Sequence, residues 1–182
     1  MPDNRKFVIF DLDGTLIDSY ECVLRCINKC LTYFDKSALR IEGTAKPSDL
    51  FQKVFNLYPD IEQSLFKDLF DKIHYNDIDG IRIKEDVLVK LLSFKRYAQI
   101  VIFTNKNIKI AKKILSNFNI IEHCDFIVGR DSNKSIKNTP EVLSVFFKEN
   151  NLFIGNCISY FGDSQEDEHL SRTLNIHFTY VN

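Results

Sequence analysis

The sequence has no basic excess, no apolar run of membrane-spanning length and no Cys-x-x-Cys pair, and each absence closes off a class of function. Twenty-four Lys and Arg stand against twenty-five Asp and Glu, for a formal charge of −1. The electrostatic footprint of a dedicated nucleic-acid binder is therefore missing. Charged residues interrupt every hydrophobic stretch well short of the ~20 residues that a helical span needs, and the opening Met-Pro-Asp-Asn-Arg-Lys leads into a strand, not a signal-peptide core. A soluble, cytoplasmic protein without nucleic-acid or membrane partners is expected, as a monomer or weak homodimer. Glycine and proline are scarce, at six and four residues, while 45% of the chain is hydrophobic, which excludes collagenous repeats and disordered polar tracts.

The five cysteines are Cys22, Cys26, Cys30, Cys124 and Cys157. An odd number in a chain too large to need staples points to reduced thiols. The first three fall at i, i+4 and i+8 on one helix face beside Val23, Ile27 and Leu31. With neither zinc spacing nor a partner histidine visible, they read as small packing residues. His74 and His123 have no partner that the sequence identifies.

What is present is a core of alternating elements with one long interruption. At 182 residues the chain suits one domain, or one domain carrying an insertion. Phe7 to Phe10 is a continuous apolar run of β formers that breaks into Asp-Leu-Asp-Gly, the pattern of a buried parallel strand. The period then becomes helical through Tyr20, Val23, Leu24, Ile27, Leu31 and Phe34. A second stripe follows Pro47 with Leu50, Phe51, Val54 and Phe55, and a third uses Ile61, Leu65, Phe66, Leu69 and Ile73. Residues 19–79 are thus expected as an inserted helical domain, closed by Asp79-Gly80, and residues 1–18 with 80–182 as the core. From Ile83 onward helices alternate with apolar strands at Gln99 to Phe103, Asp125 to Val128, Ile158 to Phe161 and His177 to Val181, and Thr139 with Pro140 opens one of the helices. Five such strands predict an α/β fold with a Rossmann-like, doubly wound parallel sheet.

In such sheets ligands bind beyond the carboxyl ends of the strands, so the residues after each apolar run are the informative ones. The first strand ends in Asp11 and Asp13, the second in Thr104 and Asn105, and the fourth in Gly162-Asp163 with Asp167 a helical turn further on. Lys137 precedes the helix after the third strand. Carboxylates crowded together repel unless a cation offsets them, and hard oxygen donors without His or Cys favour Mg²⁺ over zinc. Carboxylates, Mg²⁺, a lysine and hydroxyl or amide donors are the equipment of phosphoryl transfer, in which an Asp can serve as nucleophile.

These residues carry a resemblance. Phe10-Asp11-Leu12-Asp13-Gly14-Thr15-Leu16-Ile17-Asp18-Ser19 resembles the first motif of the haloacid dehalogenase-like hydrolase superfamily. Ile102-Phe103-Thr104-Asn105-Lys106 resembles the second, Lys137-Asn138-Thr139-Pro140 the third and Gly162-Asp163-Ser164-Gln165-Glu166-Asp167 the fourth. The motifs stand in the family's order over almost the whole chain, and the helical insert after the first resembles the cap of the phosphoglycolate phosphatase-like branch. The resemblance implies that Asp11 attacks phosphorus and lends an oxygen to Mg²⁺. Asp13 would act as acid and then base, its backbone carbonyl binding the metal. Thr104 and the amide of Asn105 would hold phosphate oxygens, Lys137 would neutralise charge, Asp163 would ligate Mg²⁺ and Asp167 would orient the lysine or a metal-bound water. Gly14-Thr15 would let the cap open and close. Asn138 replaces the first proline of the usual third motif, which leaves Lys134 as a rival to Lys137.

The implied function is Mg²⁺-dependent hydrolysis of a small phosphorylated metabolite. A sugar phosphomutase shares all four motifs, but the Asp-Gly-Thr-Leu-Ile-Asp-Ser form leans to hydrolysis. Dehalogenation has no use for Asp13 as an acid. A receiver domain would place its acceptor Asp after the third strand, where Val128-Gly129-Arg130-Asp131 stands. An inert phospho-ligand-binding protein is the remaining rival. Lys106, Lys109, Lys112 and Lys113 read as a solvated helix face, and Phe51, Phe55, Phe66 and Phe70 as core of the insert. The loop from Arg40 to Pro47 resembles a specificity loop, where Arg40 and Lys46 could meet an anionic group on the substrate.

Overall fold

The computed structural model describes residues 5–40, 47–132 and 139–181. The chain divides into two compact units, one of residues 1–17 and 83–182 and the other of residues 18–82.

The first unit is built on a five-stranded sheet. Its strands are β1 (Phe7–Phe10), β4 (Gln99–Phe103), β5 (Phe126–Val128), β6 (Cys157–Gly162) and β7 (Phe178–Tyr180). They lie in the order β5-β4-β1-β6-β7, and every neighbouring pair is parallel. Parallel strands need crossovers, which α4 (Glu85–Lys95), α5 (Ile108–Asn117), α6 (Pro140–Glu149) and α7 (Gln165–Thr173) supply. Strand parity explains why β1 is apolar throughout. Phe7 and Ile9 face a core with Leu143, Phe146 and Phe147 of α6 and Leu170 of α7. Phe10 turns the other way, stacks on Phe161 at 4.6 Å and meets Phe94 of α4 at 6.4 Å. The expected strands are present with their limits shifted by one residue or so. Thr139 occupies the position before α6, but its side chain makes no capping bond; Pro140 at the first turn fixes the start instead.

Two two-residue strands unmarked by the sequence pattern, β2 (Ile17–Asp18) and β3 (Arg82–Ile83), pair with each other. The second unit holds α1 (Tyr20–Tyr33), α2 (Pro47–Leu57) and α3 (Gln63–Asn76). Phe51 packs edge-on to Phe70 at 4.8 Å and to Phe66 at 6.3 Å, and Phe55 meets Phe66 at 5.7 Å, so these rings form the interior of this unit. The third stripe departs from expectation. Leu65 is exposed, and the buried stripe of α3 is Phe66, Phe70 and His74. No described helix is long and apolar enough to cross a membrane.

Candidate active site

The strand order sets where a site can form. From β1 the chain moves through β4 to β5 on one side, then returns to β6 and β7 on the other. The loops after β1 and β6 therefore diverge and leave a crevice beyond the strand ends. Asp11 follows β1, is 5% exposed, and its backbone N–H bonds to the Phe161 carbonyl at 2.9 Å. Asp163 follows β6 and Asp167 lies in the first turn of α7. One oxygen from each of Asp11, Asp163 and Asp167 comes within 4.8 Å of the others.

Two glycines permit this approach. Gly14 has φ +77°, and a Cβ there would stand 2.5 Å from Oδ2 of Asp163. A Cβ on Gly162 would stand 2.7 Å from Cβ of Asp167. Only a residue without a side chain lets the backbone pass so close to a carboxylate. The turn after Asp13 is pinned by Gly14 N–H to the Ile17 carbonyl at 2.8 Å and by Lys84 Nζ, which donates to the Gly14 carbonyl at 2.6 Å.

Asp167 is 2% exposed and held from both oxygens. Tyr160 donates its hydroxyl to Oδ1 at 2.5 Å, and Ser164 donates to Oδ2 at 2.6 Å while accepting from the Asp167 N–H at 3.0 Å. Ser164 caps α7. Burial and the negative field of Asp167, Asp11 and Asp163 push the Tyr160 hydroxyl well above its usual range, which keeps it a donor.

Thr104 is fully buried at the end of β4. Its Oγ1 accepts from the Lys106 N–H at 3.2 Å, which leaves the hydroxyl proton available to donate onward. Asn105 beside it is exposed. Lys106 corrects the sequence reading. It does not share the solvated face of Lys109, Lys112 and Lys113, because Asn107 caps α5 and Lys106 lies in the loop before it. There it is 8% exposed and pairs with Asp13 at 2.9 Å. The signal was present: a lysine directly after Thr104-Asn105 at a strand end belongs with the strand ends, not the helix stripe. Lys84, Ser164 and Tyr160 were likewise missed, since their roles are visible only through partners.

Lys137, Lys134, Asn138 and Lys46 lie outside the described residues. Arg40 is exposed in the helical unit.

Three convergent carboxylates repel one another in a buried crevice, and a divalent cation with a taste for hard oxygen relieves that. The oxygen-only donor set, tightened by Gly14 and Gly162, fits such an ion and lacks the thiolate or imidazole ligands that favour zinc.

Comparisons with known proteins bear on the family and the fold. A phosphoglycolate phosphatase of Colwellia psychrerythraea is 26% identical over 193 residues, covering 94% of this chain and 82% of the relative. The crystal structure of a predicted phosphoglycolate phosphatase from Haemophilus somnus superposes with a TM-score of 0.80 at 22% identity, over 98% of this chain and 85% of that one. A subfamily IA hydrolase of the superfamily from Geobacter sulfurreducens gives 0.69 at 17% identity, over 97% and 89%. With the family pattern matched from residue 8 to residue 181, and the first, second and fourth motifs gathered at the ends of β1, β4 and β6, the chain belongs to the haloacid dehalogenase-like hydrolases.

Proposed function

We propose that this hydrolase is a Mg²⁺-dependent phosphatase that cleaves a small phosphomonoester through an aspartyl-phosphate on Asp11. The observation that carries the reading is the meeting of Asp11, Asp163 and Asp167 in one buried crevice with the Asp13–Lys106 pair beside it. Asp11, Asp163 and the backbone carbonyl of Asp13 would hold Mg²⁺, which when bound draws negative charge off the phosphoryl oxygens.

The chain's own groups divide the rest of the work. Thr104 and the Asn105 amide fix the phosphoryl oxygens, with Lys137 adding positive charge. The Asp11 carboxylate attacks phosphorus as the bond to the leaving alkoxide breaks, and protonated Asp13 gives that alkoxide its proton. As a carboxylate, Asp13 then takes a proton from water while the water oxygen attacks phosphorus and the bond to Asp11 breaks. Phosphate departs, Asp11 is regenerated, and Asp13 again holds a proton. Lys106, 2.9 Å from an Asp13 oxygen, holds that carboxyl in place. Tyr160 and Ser164 hold Asp167 in position, where it orients the lysine or a bound water.

Residues 19–79 serve in this reading as the cap that selects substrate. The similarity to a phosphoglycolate phosphatase supports a small carboxylate-bearing phosphoester, with Arg40 and Lys46 meeting the carboxylate. The test is a panel of phosphorylated metabolites, 2-phosphoglycolate included, assayed with and without Mg²⁺. Turnover is expected only with the metal, and Asp11→Asn should lose about 10³-fold or more. Activity surviving that substitution overturns the nucleophile, and no turnover of any phosphoester returns the fold to a binding role. Arg40→Glu should raise KM for carboxylate-bearing substrates alone.

A further inference from the structure

A second cluster of ligating side chains lies wholly within the helical unit and has no part in phosphate chemistry. Cys22 and Cys26 stand one turn apart on α1, and His74 lies in the last turn of α3; all three are fully buried. His74 Nδ1 is 3.6 Å from Cys22 Sγ and 3.8 Å from Cys26 Sγ. The main-chain carbonyl oxygen of Asp77 is 3.3 Å from Cys22 Sγ, 3.6 Å from Cys26 Sγ and 3.3 Å from His74 Nδ1.

Any one of these contacts alone is an ordinary hydrogen bond. Taken together they exceed what hydrogen bonding supplies, because two thiols and one ring nitrogen carry at most three protons for five contacts. A single cation at the centre satisfies all of them. Tetrahedral zinc bonds sulfur at about 2.3 Å and nitrogen or oxygen at about 2.0–2.2 Å, which sets sulfur–nitrogen and sulfur–oxygen edges at about 3.6 Å and the nitrogen–oxygen edge at about 3.4 Å. The five observed edges run from 3.3 to 3.8 Å.

We propose that Cys22, Cys26, His74 and the Asp77 carbonyl form a structural zinc site that ties α1 to the end of α3. Binding releases the two thiol protons to solvent and transfers no electrons. Two thiolates and a neutral imidazole leave the buried centre uncharged, the condition under which a divalent ion is tolerated away from water. The soft donors discriminate against Mg²⁺. Asp77 is anchored from outside: Arg25 donates to its two carboxylate oxygens at 3.0 and 2.5 Å, and Lys29 pairs with it at 2.6 Å. Those bonds fix the residue whose carbonyl completes the tetrahedron.

The experiment uses the full chain, stripped of metal, kept reduced and saturated with Mg²⁺ so that the carboxylate site is occupied. Titrated Co²⁺ should give a thiolate-to-cobalt charge-transfer band that saturates at one equivalent and is bleached by Zn²⁺. Zn²⁺ at a hundredfold excess over its Kd should raise Tm by roughly 5 °C or more. The band should vanish in Cys22→Ser, Cys26→Ser and His74→Ala, and persist in Cys30→Ser, one turn beyond the cluster. The wild-type titration stands even if a cluster variant fails to fold. Absence of the band in reduced wild-type protein overturns the site, as does a band that survives Cys22→Ser with Cys26→Ser. Neither result bears on the phosphatase reading, whose assay is separate.

Discussion

The two clusters of ligating side chains differ in chemistry and in the way the chain assembles them. The oxygen cluster of Asp11, Asp163 and Asp167 lies at the ends of parallel strands, while Cys22, Cys26 and His74 lie between helices. Strand ends converge because the sheet is parallel, so any residue placed directly after β1 or β6 arrives at the crevice. The helical cluster requires that two helices pack with particular faces together, and a rotation of either would scatter it. Backbone constraints therefore govern the first cluster, and side-chain packing governs the second.

That contrast can be broken at its electrostatic centre. Lys106→Met removes the ammonium that pairs with the partly buried Asp13 at 2.9 Å, and the loss of a charged hydrogen bond of this kind costs about 1.5–3 kcal/mol of stability. Urea unfolding checks this, and Asp13→Asn in the same background should recover part of the loss. Next in size is Gly14→Ala. Its Cβ would stand 2.5 Å from Oδ2 of Asp163 at a φ of +77°, so Asp163 must move, and a misplacement of that order costs about 10²-fold in kcat/KM. A weakened Mg²⁺ dependence should accompany it. An unchanged profile would show that the turn does not place Asp163. Smaller again is Tyr160→Phe, which removes the hydroxyl that donates to Oδ1 of the buried Asp167 and should cost about 1–2 kcal/mol in thermal unfolding.

The same contrast decides what the sequence could reveal. The parallel sheet, the run of three helices after β1 and the positions of Asp11, Asp13, Thr104 and Asp163 beyond strand ends were legible because apolar runs end abruptly. The first, second and fourth motifs of the family resemblance lie at strand ends for the same reason. Lys106 was misread because its spacing to Lys109 and Lys113 imitates a helix face, although Asn107 caps the helix after it. Sequence pattern does not link His74 to the cysteines it meets, because they lie 48 and 52 residues earlier. Yet Phe66, Phe70 and His74 repeat at i, i+4 and i+8, as Cys22, Cys26 and Cys30 do, and two inward stripes of equal period in neighbouring helices were the available signal. Tyr160 could not be found this way, since a tyrosine within an apolar strand is ordinary core until its hydroxyl is seen on Asp167.

The smallest expected effect separates charge from coordination in the helical unit. Arg25 and Lys29 hold the Asp77 carboxyl well below the usual carboxylate range, Arg25 by hydrogen bonding most strongly. A carboxyl depressed in the folded state stabilises it above the unfolded pKa of about 3.9, and the stabilisation is lost as pH falls toward the folded value. The Arg25 side chain is 38% exposed, so solvent limits the worth of its pair with Asp77 to roughly 1 kcal/mol. Asp77→Asn should accordingly lower stability at pH 7 by about that much, with the difference from wild type shrinking below about pH 4. The substitution keeps the main-chain carbonyl, so the cobalt band should remain. Its disappearance would mean that the carbonyl reaches the cluster only while Arg25 and Lys29 hold the side chain, and helix packing alone would then not assemble the sulfur site.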